Sequence, residues 1–220
     1  MKKDLEEASI WIKSTIGSDK YSISPLRQEA SSRSYYRIIT DELSYILAVQ
    51  SKEAAEKNSA ASGSSPAKFL YAAKLLANNS VRVPEIYAFS EDLQFMLQED
   101  LGDTTLDIHK EIENRFILEE ALEQLSLIYS VDQDVLKAFS YDDLFQQTSN
   151  FLDIYEDRNI SIDEKEINVI HALRKKLVEQ IMEQPFLPTH NDFERRNFLF
   201  HKKQIYIIDF QDLNVGPIGM

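Results

Sequence analysis

Apolar and polar positions follow two rhythms along this chain, strand-like in the first part and helical in the second. Leu5, Ala8, Trp11, Ile12 and Ile16 recur at helical spacing, so residues 4–16 read as an amphipathic helix that Gly17 stops. Residues 21–50 read as strands: 35–39 and 43–49 are rich in aromatic and β-branched residues, with Asp41-Glu42 as the turn. The stretch SKEAAEKNSAASGSSP over 51–66 is small and polar and reads as a mobile loop. Ser65 and Pro66 then suit the N-cap and first turn of a helix burying Phe69, Ala72, Ala73 and Leu76. Residues 83–89 and 94–98 form a strand pair around a Ser90-Glu91-Asp92 turn. From there the period is mostly helical. Leu118, Ala121, Leu122, Leu125, Ile128 and Tyr129 make one apolar stripe, and Tyr141, Leu144, Phe145, Thr148, Leu152 and Tyr155 a second. Ser161 with Glu164 is a capping-box pattern opening a third helix, whose buried face is Ile167, Ile170, Leu177 and Ile181. Near the end, 198–201 and 204–208 form a hairpin about Lys202-Lys203. A strand-rich first part and a mainly helical second part make the fold class α+β.

Composition narrows the function classes. At 220 residues with 43% hydrophobic content, the chain can bury a sizeable core as one domain or two small lobes. A net charge of −13 argues against a nucleic-acid or anionic-membrane binder, which needs a basic face. Arg33, Arg37, Arg195 and Arg196 are candidate local positives for an anionic ligand, and solvated surface charge accounts for each equally well. There is no cysteine, hence no disulfide or thiolate chemistry. No apolar run is long enough to span a bilayer and MKKDLEEASIWIK holds no uninterrupted apolar signal core, so the expected location is the cytoplasm. His109, His171 and His201 have no metal-ligand spacing and read as structural or surface residues.

The chemistry concentrates in THNDFERRNFLFHKKQIYIIDFQD, residues 189–212. His190-Asn191-Asp192 is followed five positions later by Asn197, and an apolar strand then runs into Asp209-Phe210-Gln211-Asp212. Protein kinases space a catalytic-loop Asp, an Asn and the Asp of D-F-G in this way. Phosphoryl transfer needs a base at the acceptor hydroxyl and oxygen ligands on Mg²⁺. Asp192 suits the base, His190 a brace for the loop, and Asn197 and Asp209 the magnesium ligands. Each fragment alone is an ordinary turn; the ordered combination carries the signal.

These residues resemble the aminoglycoside-phosphotransferase and choline-kinase superfamily, and within it the N-acetylmuramate/N-acetylglucosamine anomeric kinases of cell-wall recycling. Further islands carry the resemblance: EASSRSYYR at 29–37, VPEI at 83–86, QEDLGDTT at 98–105, Ser140-Tyr141-Asp142, and Asp209-Phe210-Gln211-Asp212 followed by Gly216-Pro217. The resemblance implies a protein-kinase-like two-lobe fold. Its N-lobe would be residues 1–99 and its helical C-lobe, with the catalytic loop and metal motif, 100–220. It implies ATP and Mg²⁺ and a small-molecule acceptor, a sugar. Ser31, Ser32 and Arg33 would then lie in the phosphate-covering turn, Glu99 and Leu101 in the adenine-binding hinge, Arg196 at phosphate or an acidic neighbour, and Asp142 and Asp212 toward the acceptor. The departures are as specific. The covering turn has no glycine, and the third strand, ending Ala48-Val49-Gln50, lacks the kinase lysine, with Lys52 just beyond. The resembled enzymes continue well past their Gly-Pro, whereas this sequence stops three residues after Pro217; the expectation is a truncated C-lobe, with an incomplete acceptor pocket and exposed apolar surface. Three alternatives stay open: a kinase for choline, an amino acid or an aminoglycoside; a catalytically impaired nucleotide-binding module; and, last, a metal-dependent phosphoesterase, which lacks the extra ligands a two-metal site needs.

Overall fold

The apolar face of the first helix sets what the first sheet buries. The computed structural model describes residues 2–26, 33–50, 66–106, 115–149, 152, 154, 158 and 160–218. Contacts divide the chain into two compact units, Met1–Leu127 with Phe193–Asp212, and Ile128–Asp192 with Leu213–Met220.

In the first unit, strands β1 (Ser22–Pro25), β2 (Arg33–Ile39), β3 (Ser44–Gln50), β4 (Ile86–Ser90) and β5 (Phe95–Glu99) form an antiparallel sheet in the order β1-β2-β3-β5-β4. Helix α1 (Lys2–Ile16) packs Ala8 and Ile12 into one core with Ile38, Leu47, Val49, Phe95 and Leu97. Strand side chains alternate between faces. The other face therefore carries Arg33, Tyr35 and Arg37 of β2, Ile46, Ala48 and Gln50 of β3, and Met96 and Gln98 of β5, in register Arg33↔Gln50, Tyr35↔Ala48, Arg37↔Ile46 and Ile46↔Gln98. Helix α2 (Pro66–Asn78) buries Phe69, Ala72, Ala73 and Leu76, the face its spacing predicts. The loop expected before it lies outside the described residues.

A short strap leaves β5 and is pinned twice. The Arg37 guanidinium donates to both carboxylate oxygens of Asp100 (2.8 and 3.1 Å) and of Asp103 (2.8 and 2.7 Å). Further on, the Phe200 N–H donates to Thr104 O at 2.8 Å and the Leu106 N–H to Phe198 O at 3.0 Å. The Asp100 side chain is only 6% exposed, so Arg37→Ala strands a nearly buried carboxylate. The expected loss is about 3 kcal/mol, read by denaturant unfolding. Asp103 behaves differently with pH. Its hydrogen bond from Arg37 holds its carboxyl below the ordinary range. Its stabilisation is thus complete above the unfolded-state pKa and lost as pH falls through the lowered folded value. That side chain is 71% exposed, so the gap between wild type and Asp103→Asn should be small at neutral pH and vanish in acid.

Helix α3 (Arg115–Tyr129) shows where periodicity misleads. Ile117 and Ala121 are buried, yet Leu118 and Leu122, expected in the core, are exposed. The wholly buried Gln124 takes an inward position instead, and its Oε1 accepts from the Arg82 N–H at 2.7 Å.

In the second unit, helix α4 (Tyr141–Gln147) faces α5 (Glu164–Met182) through a buried arginine. Arg174 donates to Thr148 Oγ1 (2.8 Å) and Phe145 O (3.0 Å) and lies over the Phe145 ring at 4.4 Å. The capping box of α5 is Asp163 with Glu166, not Ser161 with Glu164, and Leu177 is exposed while Val178 is buried. Among the described residues no helix is long and apolar enough to cross a membrane.

Candidate functional site

In the first unit the sequence builds a hairpin that ends on a strained aspartate. Strands β7 (Phe198–His201) and β8 (Gln204–Ile207) pair from Phe198↔Ile207 to His201↔Gln204. Lys202 and Lys203 both have positive φ, 47° and 66°, the conformation a two-residue hairpin turn demands. β8 is clamped from outside. Arg82 Nε donates to Ile205 O at 2.9 Å, Glu120 accepts from both Arg82 Nη2 and the Ile205 N–H at 3.2 Å, and the Ile207 N–H donates to Arg82 O at 2.8 Å.

That clamp fixes the two residues proposed from spacing as metal ligands. The Ile208 N–H donates to Asn197 O at 2.9 Å, so buried Asn197 is tied to the residue just before Asp209. Asp209 has φ 61°, a conformation L-residues rarely adopt, and its exposed carboxylate accepts from Gln211 Nε2 at 2.7 Å. Phe210, wholly buried, anchors the turn against the Phe69 ring at 4.5 Å. One carboxylate and one amide fit a magnesium ion carried largely by phosphate oxygens and water. Among the described residues no group of three or more His, Cys, Asp or Glu stands together as a self-sufficient metal cage.

The other predicted residues of this unit fall as follows. Arg33 is buried with its guanidinium 5.1 Å over the Phe69 ring. The Glu99 N–H donates to Glu85 O at 2.8 Å, and its carboxylate accepts from the Glu85 N–H at 3.2 Å. Buried Leu101 offers its carbonyl to His201 Nδ1 at 3.1 Å, while its own N–H finds no acceptor among the described residues. Arg196 pairs with Glu194 two residues earlier, the acidic-neighbour option. Asp212 is exposed. Ser31 and Ser32 lie outside the described residues.

In the second unit, β6 (Phe186–Thr189) pairs with β9 (Asn214–Pro217) and leads into the residues that the sequence offers as a catalytic loop. His190 is buried, Asn191 turns the chain with φ 70°, and Asp192 is exposed. Gly216 lies opposite Leu187 in that ladder, and a Cβ there would stand 2.9 Å from Thr189 Cγ2 and 3.1 Å from the Phe139 ring. Gly216→Ala should therefore cost about 1–3 kcal/mol, seen as a lower thermal midpoint, because Thr189 sits in a paired strand with little room to move. Asp142 is exposed in the first turn of α4. Its neighbour Asp143 makes the capping box, and the Ser140 N–H and hydroxyl hold that carboxyl below the usual range. An open depression lined by Glu164, Lys165, Asn168, Val169 and Ala172 contains none of the motif residues.

Two features escape a reading of motifs. Gln50 is buried at the end of β3 and its side-chain oxygen meets no donor among the described residues; only its place after Ala48-Val49 hints at it. The Arg37–Asp100–Asp103 group shows in sequence merely as an arginine and an acidic island.

Comparison with known proteins places these features. An N-acetylmuramate/N-acetylglucosamine kinase of Pseudomonas aeruginosa is 31% identical over 154 residues, 68% of this chain and 46% of that protein. One from Neisseria meningitidis serogroup B is 25% identical over 163 residues, 70% of this chain and 48% of that protein. The chain thus spans about half the length of the curated relatives it matches. Among solved structures, choline kinase LicA from Streptococcus pneumoniae superposes with a TM-score of 0.67 at 19% identity, covering 96% of this chain and 71% of that one. A thermostable mutant of aminoglycoside phosphotransferase APH(4)-Ia with ADP and hygromycin B gives 0.65 at 17%, covering 94% and 72%. These likenesses establish the protein-kinase-like fold, an antiparallel-sheet N-lobe with a mainly helical C-lobe. The model of the phosphotransferase enzyme family (APH) matches residues 22–220, nearly the whole chain, and this chain belongs to that family.

Proposed function

We propose that this chain transfers the γ-phosphoryl group of ATP to a hydroxyl of a small molecule, the anomeric hydroxyl of an amino sugar such as N-acetylmuramate or N-acetylglucosamine. The observation that carries the reading is the hydrogen bond from Ile208 to Asn197, which sets an amide and the Asp209 carboxylate on one braced hairpin. The choice of acceptor is supported by the likeness to the N-acetylmuramate/N-acetylglucosamine kinases of Pseudomonas aeruginosa and Neisseria meningitidis.

In this reading Asp192 accepts the proton of the attacking hydroxyl as its oxygen bonds to phosphorus and ADP departs. A carboxylate is a weak base, but the hydroxyl grows acidic only as that bond forms. Buried His190 braces the loop. Asn197 and Asp209 would hold a magnesium ion, which would supply positive charge against the phosphates of ATP. The Leu101 N–H, a buried donor without an acceptor among the described residues, suits an adenine nitrogen, with Glu99 beside it in the hinge. We assign Ser31 and Ser32 to the phosphates of ATP and Asp142 and Asp212 to the acceptor, while Arg196 stays with Glu194. A second reading, nucleotide binding without turnover, draws on Gln50 standing where kinases carry lysine.

The test is ADP release from ATP·Mg²⁺ with N-acetylmuramate, N-acetylglucosamine, choline and an aminoglycoside offered separately. Amino-sugar-dependent release supports the proposal. Release with choline or the aminoglycoside alone overturns the acceptor, and ATP binding without release on any acceptor supports the second reading.

A further inference from the structure

Kinases place a lysine on the third strand, two residues after an alanine, to meet the nucleotide phosphates. Here β3 ends Ala48-Val49-Gln50, and Ala48 and Gln50 share the sheet face turned away from α1. Gln50 therefore stands at the lysine position, and an amide carries no charge to offer. Directly across the ladder, its register partner on β2 is Arg33. Partners in an antiparallel pair project to the same face with Cβ atoms about 5 Å apart. The Arg33 side chain thus leaves the sheet on the same face as, and one rung from, a lysine at position 50.

The surroundings agree. Arg33 is 4% exposed and lies 5.1 Å over the Phe69 ring, and Phe69 stacks at 4.5 Å on Phe210, the residue after Asp209. The cation and the metal-binding turn are linked through one pair of rings within one unit. Arg37, on the same face, is paired with Asp100 and Asp103. Independently, two buried amide oxygens on this face, Gln50 Oε1 and Gln98 Oε1, meet no donor among the described residues. Buried acceptors in that state are open to a donor from outside, water or a nucleoside amino or hydroxyl group.

We propose that Arg33 supplies, from β2, the phosphate-binding cation that kinases supply from β3, moved one rung across the ladder from Gln50. The inference rests on the phosphotransferase reading, and the experiment separates the two. Affinities for ATP·Mg²⁺ and for adenosine are measured by calorimetry on wild type, Arg33→Gln, and Arg33→Gln with Gln50→Lys, each checked for folding by thermal melt. Arg33→Gln should weaken ATP about thirtyfold while leaving adenosine within about twofold, since only the phosphates meet the cation. The double variant should regain most of the lost ATP affinity. Equal loss for both ligands, no loss, or no recovery in the double variant overturns the assignment to Arg33 and leaves the phosphotransferase reading standing. A wild type that binds no ATP overturns both. Should Arg33→Gln alone fail to fold, the double variant decides: an ATP-to-adenosine affinity ratio within about threefold of wild type supports the transfer, and a lower one overturns it.

Discussion

Asp192→Ala is expected to lower acceptor-dependent ADP release by about a thousandfold while leaving the fold and the affinity for ATP in place. The fold expectation follows from where the residue stands. Asp192 is exposed and lies beyond the end of β6, after the buried His190 and the Asn191 turn. The β6–β9 ladder that sets the course of the loop ends at Thr189↔Asn214, so truncating Asp192 removes no rung. Exposed substitutions of this kind shift stability by about 0.5 kcal/mol or less. The kinetic expectation follows from the proposed role: a base that meets the acceptor hydroxyl in the transition state contributes there and little to nucleotide binding. Steady-state kinetics beside a thermal melt checks both parts. Turnover near that of wild type in a folded variant would remove Asp192 from the mechanism. An ATP affinity that collapsed along with turnover would reassign it to nucleotide binding.

The parts of the fold legible in the sequence are those with strong local chemistry. The β7–β8 hairpin announces itself by a polar pair between two apolar runs, and α2 by Ser65-Pro66 ahead of a one-sided stripe. The candidate catalytic set is legible because its spacing is tied to a reaction. Less legible is anything decided by tertiary partners. Leu118 and Leu122 fit the apolar stripe of α3 as well as Ile117 does, yet Gln124 goes inside because the Arg82 N–H needs an acceptor there. Likewise Arg174 occupies the α4–α5 contact because its fork satisfies Thr148 and Phe145 while its face covers a ring, a combination that periodicity cannot express. The capping box of α5 lies two residues later than Ser161 and Glu164, because Asp163 and Glu166 carry the same reciprocal pattern: the Glu166 N–H donates to Asp163 Oδ1 at 2.8 Å and the Asp163 N–H to Glu166 Oε2 at 2.9 Å. The role proposed for Arg33 needs the register of β2 on β3, which no local pattern states.

Asp209→Asn should separate charge from shape. Asn tolerates the left-handed backbone that Asp209 adopts at φ 61°, and its amide oxygen can still accept from Gln211 Nε2. Phe210 keeps its place against Phe69, and Asn197 keeps its bond from Ile208. Stability should therefore stay within about 0.5 kcal/mol of wild type. What disappears is the negative charge that, in the proposed mechanism, draws the cation to the turn. Turnover is expected to fall about a thousandfold, with half-saturation by Mg²⁺ moved to higher concentration. Asp209→Ala makes the contrast, because an alanine held at positive φ costs about 1 kcal/mol and loses the Gln211 contact, so that variant should melt earlier as well as turn over slowly. A magnesium titration of ADP release on the three proteins, read beside their melts, decides the matter. If the Asn variant kept wild-type turnover and an unchanged magnesium requirement, Asp209 would be a turn residue alone and the metal would have to be held elsewhere.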